Sequence, residues 1–310
     1  MKFDKSYTEH ERLKRFEIFS ANFNRISALK VDQPYARFSY LTRWADKTRQ
    51  EFDMMHGGFG GSTPCQFTTD GEIDYLKPTA EPQEYLDYVK MGATVEVKNQ
   101  GECSSCWAHA TTAVVEGRLF LDTGNTTSLS EQYLIDCDKS RICRGCCGGL
   151  SEDSLQWLAG ESGAPGGGQG IPSEMDYPYA SVDGVDPNLK CNTSAPMVAT
   201  LNGFGVLSNP TDASVVSAIT QYGVLSVAID AHVLQFYTGG VITDGSACTS
   251  TNHAVAIVGY GSEDGIDYYK IRNSYGEEFG EEGYFRISYS AAVACGAYGC
   301  VTGGTQASYV

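Results

Sequence analysis

Cys103 and Cys106 stand three residues apart in NQGECSSCWAHA (residues 99–110), with Trp107 directly after the second and His109 one helical turn on. In such a pair one sulfur can hold structure while the other does chemistry. A cysteine attacks as its thiolate, and the unpaired amides at a helix N-terminus favour that negative charge. Cys106 heads a stretch in which Trp107, Ala110, Val114, Gly117 and Leu121 recur at helical spacing, with Ser105 as the expected N-cap and Gly124 as the expected stop. Cys106 is therefore the candidate nucleophile, and Cys103, in the turn before it, looks like half of a disulfide.

A nucleophilic thiol also needs a base, a group that orients the base, and donors for the oxyanion. The histidines are His10, His56, His109, His232 and His253. His253 opens HAVAIVGYG at the start of an expected strand, and Asn273 ends the next strand in KIRNSYG, so two neighbouring strands bring them side by side. His109 is a rival by spacing alone, because helical side chains lean back towards the N-terminus. His253 is preferred, since Asn273 is placed to orient it. His109 is expected to be a buried structural residue.

The elements that must position these groups fall into two parts. Residues 8–30 read as an amphipathic helix with Leu13, Phe16, Phe19, Phe23 and Ile26 in one apolar stripe, and with Glu11 and Arg15 paired across a turn. A second helix follows near TRQEFDMM. HGGFGGSTP then breaks the periodicity, and an irregular segment runs to about residue 82, so a small helical module sits on a tether. The main domain opens with VEVKNQGE, read as a short strand and a glycine turn, and continues into the Cys106 helix. Residues 143–170, rich in glycine and cysteine, read as loops. After about residue 200 the texture becomes strands, in GVLSVAID, HAVAIVGYG, DYYKIRNSYG and GYFRISYS. The expected class is α+β, a helical half before a β-rich half, with no internal repeat.

Composition sets the outer limits. With 310 residues and 42% hydrophobic content, the chain can bury a sizeable core in one to three domains. A net charge of −16 argues against nucleic acid or an anionic membrane surface as a partner, and fits a solvated surface or an acidic compartment. Eleven cysteines are many for a reducing cytosol, and the odd number leaves at least one outside intramolecular pairs. The glycosylation acceptors Asn125 (NTT) and Asn192 (NTS) point the same way, to the secretory route. MKFDKSYTEH lacks the apolar core of a signal peptide, so the chain is expected to begin after a removed leader. No run of about 18 apolar residues is present, and no membrane span is expected.

Gln100, Cys106 and Trp107, together with NHAVAIVGYG and RNSYG, resemble the papain family of cysteine proteases. LSEQYLIDCD, CCGG and YPYAS resemble further elements of that family, so the likeness covers nearly the whole chain. Glu11, Arg15, Phe19, Asn22 and Ile26 are five of the six residues of the cathepsin L-type propeptide motif, with Lys30 in place of the final asparagine. TRWADKTRQEF resembles the second propeptide motif.

The resemblance implies a papain-like two-lobed fold, with a helical lobe at about residues 91–207 and a β-barrel-like lobe at about 208–310. An inhibitory propeptide at about residues 1–80 would precede the peptidase domain, 81–310. It implies a zymogen of a cysteine endopeptidase in which Cys106 attacks, His253 is its base and Asn273 holds the imidazole. Gln100 and the Cys106 amide would form the oxyanion hole. Tyr275 and Phe279 stand where the family has tryptophans, and the ring of Tyr275 is expected to keep shielding the His–Asn bond. Ser104 replaces a glycine beside the first subsite, so altered specificity is expected. His109 replaces a core phenylalanine. Gly148 and Gly149 would meet the substrate backbone, and Leu150, Ser151 and Ala254 would wall the second subsite with Cys300 at its floor. That pocket is small and apolar, without a carboxylate.

The implied disulfides are Cys103–Cys146, Cys137–Cys191 and Cys248–Cys295. Cys65, Cys143, Cys147 and Cys300 have no assigned partner, with a Cys143–Cys147 bridge as one option. A zinc site in CRGCC lacks a nearby histidine, and no metal or other cofactor is expected. The implied partners are polypeptide substrates, the chain's own propeptide and cystatin-like inhibitors, for a monomer of lysosomes, vacuoles or the extracellular space. Two alternatives remain. A catalytically silent binding protein of this fold is opposed by the presence of all four active-site residues, and a transpeptidase or ligase on the same triad by the propeptide motifs.

Overall fold

The computed structural model describes residues 5–56, 75–140, 145–162, 166–185, 190–297 and 301–310. The N-terminal part holds α1 (Glu9–Asp32), β1 (Ala36–Phe38) and α2 (Arg49–His56). After β2 (Leu86–Asp87) come α3 (Cys106–Thr123), α4 (Glu131–Cys137), α5 (Ser151–Leu158) and β3 (Ile171–Pro172). The remainder is mostly sheet: β4 (Met197–Val206), α6 (Asp212–Tyr222), β5 (Leu225–Ile229), β6 (Tyr237–Ile242), β7 (His253–Glu263), β8 (Ile266–Arg272), β9 (Tyr284–Ser288), α7 (Tyr289–Ala294) and β10 (Thr302–Tyr309). The α+β class and the order of a helical then a β-rich half are as the sequence implies.

The strands run in the order β1-β6-β9-β8-β7-β5-β10-β4-β3, with β2 also paired to β7. All five residues of β5 and the first nine of β7 are buried, the mark of strands covered on both faces. The helix α3 covers them, packing on β7, β10 and β5. Because β7 and β8 are antiparallel neighbours, with Ala256 opposite Arg272, the start of β7 and the end of β8 share one end of the sheet. The N-terminus of α3 meets that same end, where Cys106 and Ala110 pack with Ala254.

Three disulfides form as implied, Cys103–Cys146, Cys137–Cys191 and Cys248–Cys295, across separations of 43, 54 and 47 residues. In the chain-entropy account loops of this size stabilise by roughly 4 kcal/mol each. Cys147 is free and exposed, so it is not bridged to Cys143. Cys65, Cys143 and Cys300 lie outside the described residues.

Three local expectations are corrected. The stripe on α1 is not its packed face: Leu13, Phe16 and Phe23 are 61%, 66% and 47% exposed, and only Ile26 of the five is buried. Polar anchors hold this helix instead. Buried Asn22 donates to the carbonyls of Ala45 and Lys47 at 3.0 and 2.8 Å, and Arg15 bridges Glu11 and Glu51. VEVKNQGE is not a strand. It meets the 274–276 segment at one isolated bridge, Asn99 to Tyr275, flanked by the Gln100 amide on the Ser274 carbonyl and the Gly276 amide on the Lys98 carbonyl, and the expected glycine turn follows at Gly101. Residues 143–170 are not all loop, since α5 forms with Glu152 and Asp153 in its first turn and buries Leu155, Trp157 and Leu158.

Candidate active site

Cys106 is the first residue of α3 and is fully buried. His253 begins β7, and its Nε2–H donates to Asn273 Oδ1 at 2.8 Å. That oxygen also accepts the Ser274 amide at 2.9 Å, which fixes the Asn273 side chain and so the tautomer of the ring. Tyr275 stacks on His253, ring centroids 4.9 Å apart and planes at 27°, and covers the pair as the resemblance implies. Burial, reinforced by the neighbouring Cys106, pushes the Tyr275 hydroxyl well above its ordinary range, so it stays protonated.

Gln100 is fully buried and held at both ends. Its Nε2 donates to the Cys103 carbonyl at 2.9 Å, and its Oε1 accepts from Ser274 Oγ at 2.5 Å. A carboxamide oxygen cannot donate, so the Ser274 hydroxyl sets which way the amide faces. The Gln100 carbonyl accepts from Tyr179 OH at 2.8 Å, which leaves Ser105 Oγ as donor to the Tyr179 oxygen at 2.8 Å. Ser105 thus occupies the N-cap position of α3 but makes no capping bond with its side chain. At the other end Gly124 adopts φ +78° and stops the helix as expected.

On the opposite wall, the Ser104 amide donates to the Cys146 carbonyl at 3.3 Å, and the disulfide from Cys103 ties the two segments together. Gly149 lies flat on Trp107, where a Cβ would stand 2.7 Å from the ring. Gly148 and Gly149 are buried, Leu150 is partly buried, and Ser151 Oγ donates to the Trp107 carbonyl at 3.3 Å. The structure therefore brings Leu150, Ser151 and Ala254 near the nucleophile helix. Cys300, expected at the pocket floor, lies outside the described residues. Asn125 and Asn192 are exposed.

His109 is buried, and its Nδ1–H donates to the Ser105 carbonyl at 3.0 Å, edge-on to Tyr179. Burial holds it below the usual imidazole range and neutral. It borders a charged cluster that periodicity did not reveal. Lys98 sits 2.8 Å from Glu131, and Arg272 lies 3.1 Å from Glu116. Burial, and then the nearby Glu131, raise Glu174 to about 7. The one available signal was Glu116, an acid in the middle of an apolar helix.

The N-terminal part reaches this site through aromatic and charged contacts. Trp44 packs on Tyr275 and Phe279 at 5.2 and 6.2 Å, and Phe52 on Tyr275 at 6.2 Å. Asp46 accepts from Lys5 and, at 2.7 Å, from Tyr7. Burial raises its carboxyl, but those bonds overcome it and hold the group below the usual range. Glu51 is also held low: burial raises it, and the Thr48 amide and Arg15 outweigh that. His232 lies between Asp53 of α2 and Asp230, each 2.5 Å from one ring nitrogen. Burial lowers the imidazole, yet the two carboxylates raise it overall. The roles of Lys5, Tyr7, Glu51, Trp44, Phe52 and His232 were not apparent in the sequence.

Comparison with known proteins agrees with this geometry. The description "Papain family cysteine protease" matches residues 82–305, and "Cathepsin propeptide inhibitor domain (I29)" matches residues 1–52. Vignain of Phaseolus vulgaris is 37% identical over 284 residues, 89% of this chain and 74% of that protein. A KDEL-tailed cysteine endopeptidase of Arabidopsis thaliana, CEP2, is 38% identical over 294 residues, 90% of this chain and 75% of that one. Among solved structures, digestive procathepsin L 3 of the Tenebrio molitor larval midgut superposes with a TM-score of 0.80 at 32% identity, covering 97% of this chain and 94% of that one. The chain belongs to the papain family of cysteine proteases and carries a cathepsin-type inhibitory propeptide ahead of its peptidase domain.

Proposed function

We propose that the mature enzyme is an endopeptidase working through a Cys106–His253–Asn273 triad. The observation that supports this most is the 2.8 Å bond from His253 Nε2 to Asn273 Oδ1, made at the end of the sheet where Cys106 starts its helix. The Cys106 proton passes to His253 Nδ1, giving a thiolate favoured by the helix N-terminus and an imidazolium held by Asn273. The thiolate adds to the scissile carbonyl carbon. The oxyanion takes hydrogen bonds from the Cys106 amide and from the second Nε2 hydrogen of Gln100. Collapse breaks the C–N bond, the imidazolium gives its proton to the leaving amine, and a thioester remains. Water, deprotonated by His253, then attacks the thioester and releases the acid and the thiol.

The first about 80 residues act as the intramolecular inhibitor, and the mature chain begins between about residues 70 and 84. The disulfides and the exposed sequons Asn125 and Asn192 favour a secreted, vacuolar or lysosomal protease. Leu150, Ser151 and Ala254 make a small apolar second subsite. Leucine or valine gains roughly 1.5–3 kcal/mol of burial there, whereas an unpaired arginine costs several kcal/mol. Mass-spectrometric product analysis on one peptide tests the reading. Hydrolysis products are expected and should vanish in Cys106→Ala. Activity retained in that variant removes the triad, and joined peptides as the main product replace hydrolysis with transpeptidation.

A further inference from the structure

The propeptide does more than cover the site, because it supplies a strand. β1 is the outermost strand of the sheet and pairs antiparallel with β6, Ala36 opposite Gly240 and Arg37 opposite Gly239. The Val241 amide donates to the Tyr35 carbonyl at 2.8 Å, and the Ser39 amide to the Phe236 carbonyl at 2.9 Å. Once β1 leaves, the Val241 amide and the Phe236 carbonyl lose these partners, while Gly240 keeps its bonds to Glu281 and to Tyr237 OH, so the edge offers those two groups to another extended chain. Two glycines keep that edge open to close approach. A Cβ at Gly240 would lie 2.2 Å from the Tyr35 carbonyl oxygen, and one at Gly239 2.1 Å from the Arg37 guanidinium.

The frame of this edge is acidic and aromatic. Glu278 lies 3.4 Å from Arg43, and Glu281, already held at 2.8 Å by Arg286 and by the Gly240 amide, stands 3.6 Å from Arg37. Beside them Trp44 fills the hollow over Tyr275 and Phe279. The whole chain divides the same way. Residues 1–56 hold eleven lysines and arginines against eight acids, a net +3, while residues 57–310 hold eleven against thirty, a net −19.

We propose that in the mature enzyme β6, Glu278 and the Tyr275–Phe279 hollow form a docking edge for the part of the substrate that follows the scissile bond, selecting extended segments with arginine or lysine beside an aromatic residue. The proposal rests on the triad above, which fixes the side: His253 protonates the leaving amine, so the departing chain lies against His253 and the Tyr275 stacked on it. From there ring centroids step by 5.3 Å from Tyr275 to Phe279 and 5.9 Å from Phe279 to Tyr237 of β6. At about 3.3 Å per residue, roughly three to four extended residues span that path.

The test uses internally quenched peptides with one common N-terminal half, leucine two residues before the bond, and C-terminal halves that are either basic–aromatic or serine–glycine. The basic–aromatic peptide is expected to show a KM about fivefold lower at low ionic strength, from one exposed ion pair with Glu278 and one ring contact. The ionic part of that gain should disappear in high salt and in Glu278→Gln, whose ion-pair partner among the described residues is Arg43 of the departed propeptide. Equal KM values for the two extensions, or a preference undiminished in Glu278→Gln, overturns the proposal. A short dipeptide reporter serves as reference: its failure to be cleaved refutes the triad. In that case anisotropy of the labelled basic–aromatic segment on mature enzyme alkylated at Cys106 still decides the docking edge, with binding lost in Glu278→Gln supporting it and no binding overturning it.

Discussion

Asp46→Asn should loosen the zymogen without touching the catalytic groups. The carboxylate is 15% exposed and takes two hydrogen bonds, from the Lys5 ammonium and from Tyr7 OH, which tie the N-terminal segment to the turn that carries Trp44. An amide of the same shape keeps part of one bond and loses the charge. Removing this charge-assisted pairing costs about 2 kcal/mol, which is a roughly thirtyfold larger open population. Cys106 is fully buried, so its alkylation requires opening. The assay is the rate of labelling of Cys106 by an iodoacetamide, read by peptide mass so that exposed Cys147 is counted separately. Because the folded pKa of Asp46 is lowered from 3.8, its contribution is complete above that pH and is lost as pH falls through the lower folded value. The variant should therefore label about thirtyfold faster than the parent near neutrality, and the two rates should meet in strong acid. Equal rates across the whole pH range would refute the reasoning.

His232 acts in the opposite sense: its pKa is raised above 6.5, so its grip on Asp53 is complete below 6.5 and fades as pH rises through the higher folded value. His232→Asn zymogen should consequently label several-fold faster than the parent at pH 6, with the gap closing in alkali; an unchanged rate at pH 6 removes the residue from the latch. Wild-type zymogen should open mainly below about pH 4.5, where Glu51 and then Asp46 lose their charge, and equal processing to a mature-sized band at neutral and acid pH would exclude an acid trigger. His253→Ala should cost several orders of magnitude in kcat/KM while His109→Phe keeps most activity, and the reverse result would move the base to His109. Fluorogenic dipeptides that differ as leucine or arginine two residues before the bond should favour leucine strongly, and equal cleavage would place an unrecognised acid in that pocket.

The proposed catalytic residues were legible because each sits at the end of an element whose pattern is strong: Cys106 opens a helix, His253 opens an apolar strand, and Asn273 directly follows the next one. Antiparallel pairing of β7 and β8 then makes their meeting a matter of register. What the pattern could not show was the partner of each face. Periodicity found the stripe of Leu13, Phe16 and Phe23 but not that α1 docks through Asn22, Arg15 and Ile26. VEVKNQGE read as a short strand, though its pairing with the 274–276 segment stops at one bridge and the two backbone bonds beside it. Glycine and cysteine on either side hid α5, whose eight residues are fixed by burial of Trp157 and Leu155. The pairing of His232 with Asp53 spans 179 residues, and a local reading cannot see it.

The propeptide's grip has two parts of different physical character, aromatic burial of Trp44 and Phe52 against Tyr275 and the ionic contact of Asp53 with His232, the latter backed by the Asp46 and Glu51 pairs that brace the propeptide internally. Apolar association weakens on cooling, whereas exposed and half-buried ion pairs weaken with added salt. Chilling and salting therefore loosen separate ends of the same latch. A zymogen preparation kept cold and desalted retains the ionic end as its hold, and one kept warm in concentrated salt retains the aromatic end. Cold storage in high salt weakens both at once, so at a given pH it should open the zymogen further than either treatment alone.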